Sequence, residues 1–232
     1  MILKRLDWDS TFFNLNVFLV QDEQCEMFNF AEIEHELKIL NANLVYLFLK
    51  DNSPNFDVFS NYNNCILLDR KITLIKKLSN LHIEDSSIEE ISNLNSELLE
   101  LAFLSGKDSR FKKDNKLTIF FEPLYQKWIQ NSLSGSLASK VLVYKFNGSI
   151  IGFITIMIKN NSGQIGLIAV NPLFQGKGIG RKLINAIENY LIDNAVHELI
   201  VVTQKDNNQA LDFYLSLDFK IIKEESVFHW WL

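Results

Sequence analysis

Apolar positions recur at helical spacing in Phe30, Ile33, Leu37 and Leu40, which predicts an amphipathic helix. Ile88, Ile91, Leu94 and Leu98 make a second such stripe, with Ser86 or Ser87 available as its N-cap. Phe120–Leu133 predicts a third helix, and Ile179, Leu183, Ile184, Ile187, Tyr190 and Leu191 mark one face of a fourth. Between them lie strand-like runs at Leu44–Leu49 and within Ile66–Leu78. Val141–Phe146 and Ile150–Ile158 flank Asn147-Gly148, the strongest short hairpin signal in the chain. Asn160-Asn161-Ser162-Gly163 then turns the chain into an apolar run that stops at Asn171-Pro172. Glu198–Thr203 reads as a buried strand, and Phe219–Glu224 with Val227–Leu232 as a closing strand pair. A soft boundary near Asp69–Leu78 separates a βαβ-like N-terminal part, residues 1–75, from residues 76–232.

The sharpest chemical signal is Gln175-Gly176-Lys177-Gly178-Ile179-Gly180, which lies between the apolar run and the fourth helix. Glycines at a helix start leave backbone N–H groups bare at the positive end of the helix dipole, which suits a pyrophosphate. A P-loop would need Ser or Thr after Gly-Lys, and neither Gly176-Lys177-Gly178 nor Gly180-Arg181 supplies one. A dinucleotide fingerprint would need a third glycine where Arg181 stands. A third pattern, Gln/Arg-x-x-Gly-x-Gly/Ala, is filled by Gln175, Gly178 and Gly180. A glycine-rich turn without any ligand is the plain alternative.

The chain has 232 residues, 47% of them hydrophobic and 22% charged, as in ordinary globular proteins. A formal net charge of −5 argues against nucleic acid as the partner. No window approaches about 18 uninterrupted apolar residues, so no membrane insertion is expected. The first residues lack the apolar core of a signal peptide. Cys25 and Cys65 match no metal spacing and read as reduced thiols, which points to the cytoplasm.

Downstream, Asn207, Ala210, Tyr214 and Phe219 fill the pattern Asn-x-x-Ala-x-x-x-Tyr-x-x-x-Gly-Phe, with Asp218 in the glycine position. Together with the glycine turn, this resembles the GNAT family of N-acetyltransferases. The resemblance implies an α/β (α+β) acyl-CoA N-acyltransferase fold, with a central mixed, mostly antiparallel sheet flanked by helices. It implies acetyl-CoA as co-substrate and no metal. Gln175, Gly176, Lys177, Gly178, Ile179, Gly180 and Arg181 would then hold the pyrophosphate. Backbone groups of Ile168, Ala169 and Val170 would pair with pantetheine like an added strand. Asn207 would bond the cofactor arm, although a helix N-cap is an equal local reading. Tyr214 would be the general acid, its phenol giving a proton to the departing thiolate; otherwise it is a half-buried packing residue. Asp218 puts the local turn geometry in question, since Asp adopts positive φ less readily than Gly.

Leu6–Phe13, Ser109-Arg110-Phe111, Tyr125–Asn131 and Phe228–Trp231, in that order, look like the dTDP-fucosamine acetyltransferases within that family. These acetylate the 4-amino group of a dTDP-4-amino-4,6-dideoxyhexose for surface polysaccharide. The likeness implies a nucleotide-sugar acceptor, an acceptor-side role for residues 1–75, and a homodimer as a compatible state. Arg110, Phe111 and Tyr125 are the acceptor candidates, the arginine for a diphosphate and the rings for stacking. Another small amine or a protein N-terminus remains an alternative acceptor. A non-catalytic CoA-binding module is the third reading, prompted by Asp218 and by the want of an evident general base.

Overall fold

The computed structural model describes residues 2–22, 27–50, 52–79 and 84–232. Cys25 lies outside them. In chain order the elements are β1 (Ile2–Arg5), α1 (Asp7–Phe13), β2 (Val17–Gln21), α2 (Phe30–Ile39), β3 (Leu44–Lys50), α3 (Phe56–Ser60) and β4 (Cys65–Lys77). Then follow β5 (Ile88–Glu90), α4 (Ser96–Ser105), α5 (Arg110–Lys113), α6 (Phe121–Leu133), β6 (Lys140–Phe146), β7 (Ser149–Lys159) and β8 (Ser162–Val170). The chain ends through α7 (Ile179–Asp193), β9 (Glu198–Gln204), α8 (Asn208–Leu215) and β10 (Lys220–Trp231). Packing divides it into one unit of residues 1–72, 203–208 and 222–232 and another of residues 73–202 and 209–221. None of the described helices is long and apolar enough to cross a membrane.

The first unit is built on a βαβ arrangement. β2 and β3 run parallel, with Val17 opposite Leu44, while β1 and β10 pair antiparallel on β2 and β3. Asn29 caps α2 by accepting the Glu32 N–H at 3.5 Å, and Ile33 and Leu37 turn one face of the helix inward. They pack on Val45, Leu47, Phe228 and Trp230. Leu40, placed by its spacing in the same stripe, falls at the helix C-cap and is exposed. Cys65 belongs to this core, and burial pushes its thiol up to about 12. A thiol raised this way stays protonated, and the stability tied to that state is whole below its ordinary value of 9.0 and lost as pH rises toward about 12. In a Cys25→Ser background, Cys65 should therefore resist a disulfide reagent near pH 8 until the protein is unfolded, a pH at which free thiols react readily. Rapid labelling of the native protein would contradict the buried position.

In the second unit the strand order is β9-β8-β7-β6-β5. All these neighbours are antiparallel except β8 and β9. The β6–β7 hairpin turns at Asn147 and Gly148, both at positive φ (50° and 84°), as the Asn-Gly signal requires. Leu98, Leu101, Phe121 and Ile129 of α4 and α6 pack on Val141, Val143, Phe153 and Leu167 of the sheet. Ile179 and Leu183 of α7 lie against Gly152, where a Cβ would meet them at 3.2 and 3.3 Å.

Two local expectations fail. The stripe Ile88–Leu98 is not a helix: Ile88–Glu90 is a strand paired with β6, and Asn95, not Ser86 or Ser87, caps α4 through the Leu98 N–H at 2.9 Å. Glu90 meets Lys140 at 3.1 Å and Glu89 pairs with Lys145, so the charged residues sit across the ladder from cations. The closing strand pair is instead the single strand β10. The Glu224-Glu225-Ser226 segment does not break it, because the buried Glu225 carboxylate is held by Lys71 at 3.2 Å and Lys223 at 2.8 Å.

Candidate active site

β8 and β7 pair up to Val170, but not in constant register. Ile168 faces Ile154 and Ile165 faces Ile156, so Gly166 and Leu167 share Thr155 as their only counterpart. This is a β-bulge. Thr155, fully buried, closes the gap by accepting the Leu167 N–H on its hydroxyl at 2.8 Å. A Cβ on Gly166 would stand 2.8 Å from that oxygen, so only glycine leaves room for it. On the opposite edge, β9 pairs with β8 at Gly163–Leu199 and Gln164–Ile200, short of the bulge. Beyond that point the backbone of Ile168, Ala169 and Val170 is half-buried and no longer laddered to β9.

Sequence reading missed Thr155, because within Ile154-Thr155-Ile156 it looks like any β-branched strand residue. Gly166 inside a strand was the available signal. Thr155→Val keeps the shape and removes the acceptor, leaving a buried N–H unsatisfied at a cost of about 1–3 kcal/mol. Tm should fall by roughly 2–4 °C for each kcal/mol in a chain of this size, and Thr155→Ser should recover most of the loss. An unchanged Tm in the valine variant would show that the hydroxyl carries no structural weight.

From Val170 the chain enters a tight turn. The Asn171 side chain accepts the Leu173 N–H at 3.0 Å, Pro172 opens a single 3₁₀ turn, and Gly176 and Gly178 follow at φ 75° and 78°. Gly178 is the N-cap of α7, and no side chain caps this end. The first-turn N–H groups therefore meet an open surface, since a Cβ built at Gly176 or Gly178 would touch nothing within 4 Å. Lys177 lies over the Phe174 ring at 4.7 Å, exposed and without an ion-pair partner among the described residues. Arg181 reaches the Ser216 carbonyl at 3.5 Å.

Gln175 turns its side chain to the protein. Its Nε2 donates to the Val170 carbonyl at 3.0 Å, and its Oε1 accepts from Gln209 Nε2 at 3.0 Å. The loop is thereby tied both to the end of β8 and to α8. Gly180 adds a second link, because a Cβ there would stand 3.0 Å from the Phe213 ring. The third glycine thus serves the approach of α8 to α7.

Tyr214 follows Phe213 on α8. Its ring is 3% exposed, tilted on Phe213 at 5.3 Å and edge-on to Phe219 at 5.4 Å. Its hydroxyl hydrogen-bonds to no described residue, yet it is not among the polar atoms sealed from solvent. Burial pushes the phenol above its ordinary value of 10.0, which favours the protonated form. Asp218 adopts φ 67°, so the left-handed helix stop forms with aspartate in place of glycine.

The remaining predicted residues lie elsewhere. Asn207 sits in the turn ahead of α8, with its N–H on the Gln204 carbonyl at 3.1 Å. Phe111 and Tyr125 pack inward, both against Trp128 at 5.6 and 4.9 Å, and Tyr125 fills the space where a Gly106 side chain would go. Arg110 keeps partial exposure, its guanidinium 4.6 Å from the Phe111 ring. A recess of about 640 Å³ adjoins the loop, between α4, the β6–β7 hairpin and the Asn171–Phe174 turn, and Glu97 and Glu100 line it. Glu97 is partly committed, accepting the Ile150 N–H at 2.8 Å. Among the described residues no group of three or more His, Cys, Asp or Glu is placed to hold a metal.

Comparison with known proteins agrees with this geometry. Residues 107–219 match the model of the Acetyltransferase (GNAT) family. A spore coat polysaccharide biosynthesis protein of Bacillus subtilis is 30% identical over 137 residues, 58% of this chain and 46% of that protein. A mycothiol acetyltransferase of an Arthrobacter species is 26% identical over 132 residues, 51% of this chain and 41% of that protein. The chain spans about half the length of the curated relatives it matches. Among solved structures, a GCN5-related N-acetyltransferase from Sphaerobacter thermophilus superposes with a TM-score of 0.59 at 11% identity, over 92% of this chain and 72% of that one. The chain has the GNAT fold, and its residues 107–219 are similar to the acetyltransferase (GNAT) family.

Proposed function

We propose that this protein transfers an acetyl group from acetyl-CoA to the amino group of a dTDP-4-amino-4,6-dideoxyhexose. The observation that carries the acetyl-CoA half is the uncapped, glycine-opened N-terminus of α7, reached directly from the unladdered edge of β8. Backbone N–H groups of the Gln175–Arg181 loop, with Lys177 and Arg181, would receive the pyrophosphate. Ile168, Ala169 and Val170 would pair with the pantetheine arm, and Asn207 would steady it. The thioester supplies an activated carbonyl. The acceptor nitrogen adds to it, the carbon–sulfur bond breaks, and Tyr214 gives its proton to the leaving sulfur. The proton lost by the new amide nitrogen passes to solvent, and Tyr214 is reprotonated from there.

The acceptor half rests on the sequence likeness to the dTDP-fucosamine acetyltransferases and on the name of the Bacillus relative, a polysaccharide biosynthesis protein. Arg110 is the acceptor-side residue best exposed to meet a diphosphate, and Phe111 and Tyr125 would act by holding its segment in place. A second reading, a small cationic amine or a protein N-terminus as acceptor, is favoured by the recess that Glu97 and Glu100 line. Incubating the protein with acetyl-CoA and a panel of amines, and following free thiol, separates these readings. Release with dTDP-amino sugars alone supports the first, and release with simple amines the second. Acetyl-CoA binding with no thiol released from any amine would leave a non-catalytic CoA-binding module.

A further inference from the structure

A recess of about 590 Å³ in the first unit is lined by none of the residues named above for acetyl-CoA or for the acceptor. Its walls come from α2, the turns after α2 and α3, and the end of β10. Asn41, Asn63 and Asn64 are exposed there, and among the described residues their side-chain amides make no hydrogen bond. Each amide offers two donors and one acceptor. The turns that carry two of them are fixed by their backbones. The Asn41 N–H meets the Lys38 carbonyl at 3.0 Å, and the Asn64 carbonyl accepts from the Trp231 N–H at 2.9 Å.

Tyr62 supplies an aromatic wall, half-buried and held by Phe30 at 4.3 Å and Trp230 at 5.7 Å. Its hydroxyl donates to Glu34 at 3.0 Å, and Lys38 meets the same carboxylate at 2.7 Å. That pairing matters for the choice of ligand. Among the described residues that line the recess Lys38 is the one lysine, and it is paired with Glu34, so no uncommitted cation there matches a phosphate or diphosphate. The glutamate is likewise matched, which removes the draw for a cation. What is left is a neutral surface of amides beside a fixed aromatic ring. Sugar hydroxyls, each donor and acceptor at once, suit the amides, and the C–H face of a pyranose suits the ring.

We propose that this recess binds a neutral carbohydrate, with hydroxyls on Asn41, Asn63 and Asn64 and a sugar face on Tyr62. The site stands on first-unit residues alone and does not require the acetyl-transfer reading. The test is saturation-transfer NMR and calorimetry on the whole chain with maltotriose, cellotriose and tri-N-acetylchitotriose, each up to about 10 mM, the weak end of specific recognition. At least one should bind. Asn63→Ala removes an exposed amide with no structural bond and should weaken that binding roughly tenfold, the scale of one or two good hydrogen bonds. Tyr62→Ala should abolish it in a protein whose melting transition shows that it is still folded, and Tyr62→Phe, which keeps the ring, should retain most of it. Three outcomes overturn the proposal: no sugar in the panel binds, the sugar binds Asn63→Ala as it binds the natural protein, or dTDP displaces it from the recess.

Discussion

Tyr214→Phe is expected to lower turnover by on the order of a hundredfold or more, the usual loss when a general acid is removed. The geometry isolates this effect. Phenylalanine keeps the ring contacts with Phe213 and Phe219, and the hydroxyl it deletes bonds to no described residue. Stability should therefore hardly change, and Tm gives the check. The loop that would hold the cofactor is tied to α8 through Gln209 and Phe213, not through the phenol, so acetyl-CoA affinity should persist. The loss should fall on kcat and kcat/KM together, as for an interaction made mainly in the transition state. Burial also sets the pH behaviour. A phenol raised above 10.0 stays protonated throughout the working range, so the wild-type rate should show no alkaline decline from this group below that value. A Phe variant that melts normally and turns over near the wild-type rate would reduce Tyr214 to a packing residue.

The parts of this fold that were legible in the sequence are those whose causes are local. Asn147-Gly148 sets its own hairpin by backbone preference, and the α7 stripe buries Ile179, Leu183, Ile184, Ile187 and Leu191 as its spacing predicts. What failed depended on partners distant in the chain. Ile88, Ile91, Leu94 and Leu98 fit a helical period, yet the first of them pairs across the sheet with Tyr144. Periodicity cannot register a strand neighbour some fifty positions away. The strand reading stops at Glu224, because one of the two lysines that hold Glu225 is Lys71, far away in the chain.

The candidate site divides the same way. The glycine loop could be read because a bare helix start needs specific residues at specific steps. The bulge could not, because Thr155 takes on meaning only opposite Gly166 and Leu167. Even within the loop the reasons differ by residue. Gly176 and Gly178 meet a conformational demand, whereas Gly180 makes room for Phe213. The departure at Asp218 proved mild, since aspartate takes the positive φ that the helix stop requires.

That tolerance makes Gly178→Asp a clean test of where the cofactor sits. Gly178 is at φ 78°, close to the 67° that Asp218 already adopts, and a Cβ there meets no atom within 4 Å. An acidic residue at a helix N-cap also complements the dipole of α7. The variant should therefore fold, with the strain of a side chain at positive φ partly offset by the dipole, and melt slightly below the wild-type temperature. Its carboxylate, however, would occupy the surface toward which the first-turn N–H groups point. If a pyrophosphate binds there, the two anions repel at short range, and acetyl-CoA affinity should fall by about a hundredfold, or roughly 2.7 kcal/mol. The effect should appear in KM for acetyl-CoA, with kcat at saturation largely kept, because the lost interaction is present in ground and transition states alike. Gly178→Asn supplies the same shape without the charge and should retain most of the affinity. Wild-type acetyl-CoA binding by a well-folded Asp variant would place the pyrophosphate away from this helix and remove the basis for assigning the Gln175–Arg181 loop to the cofactor.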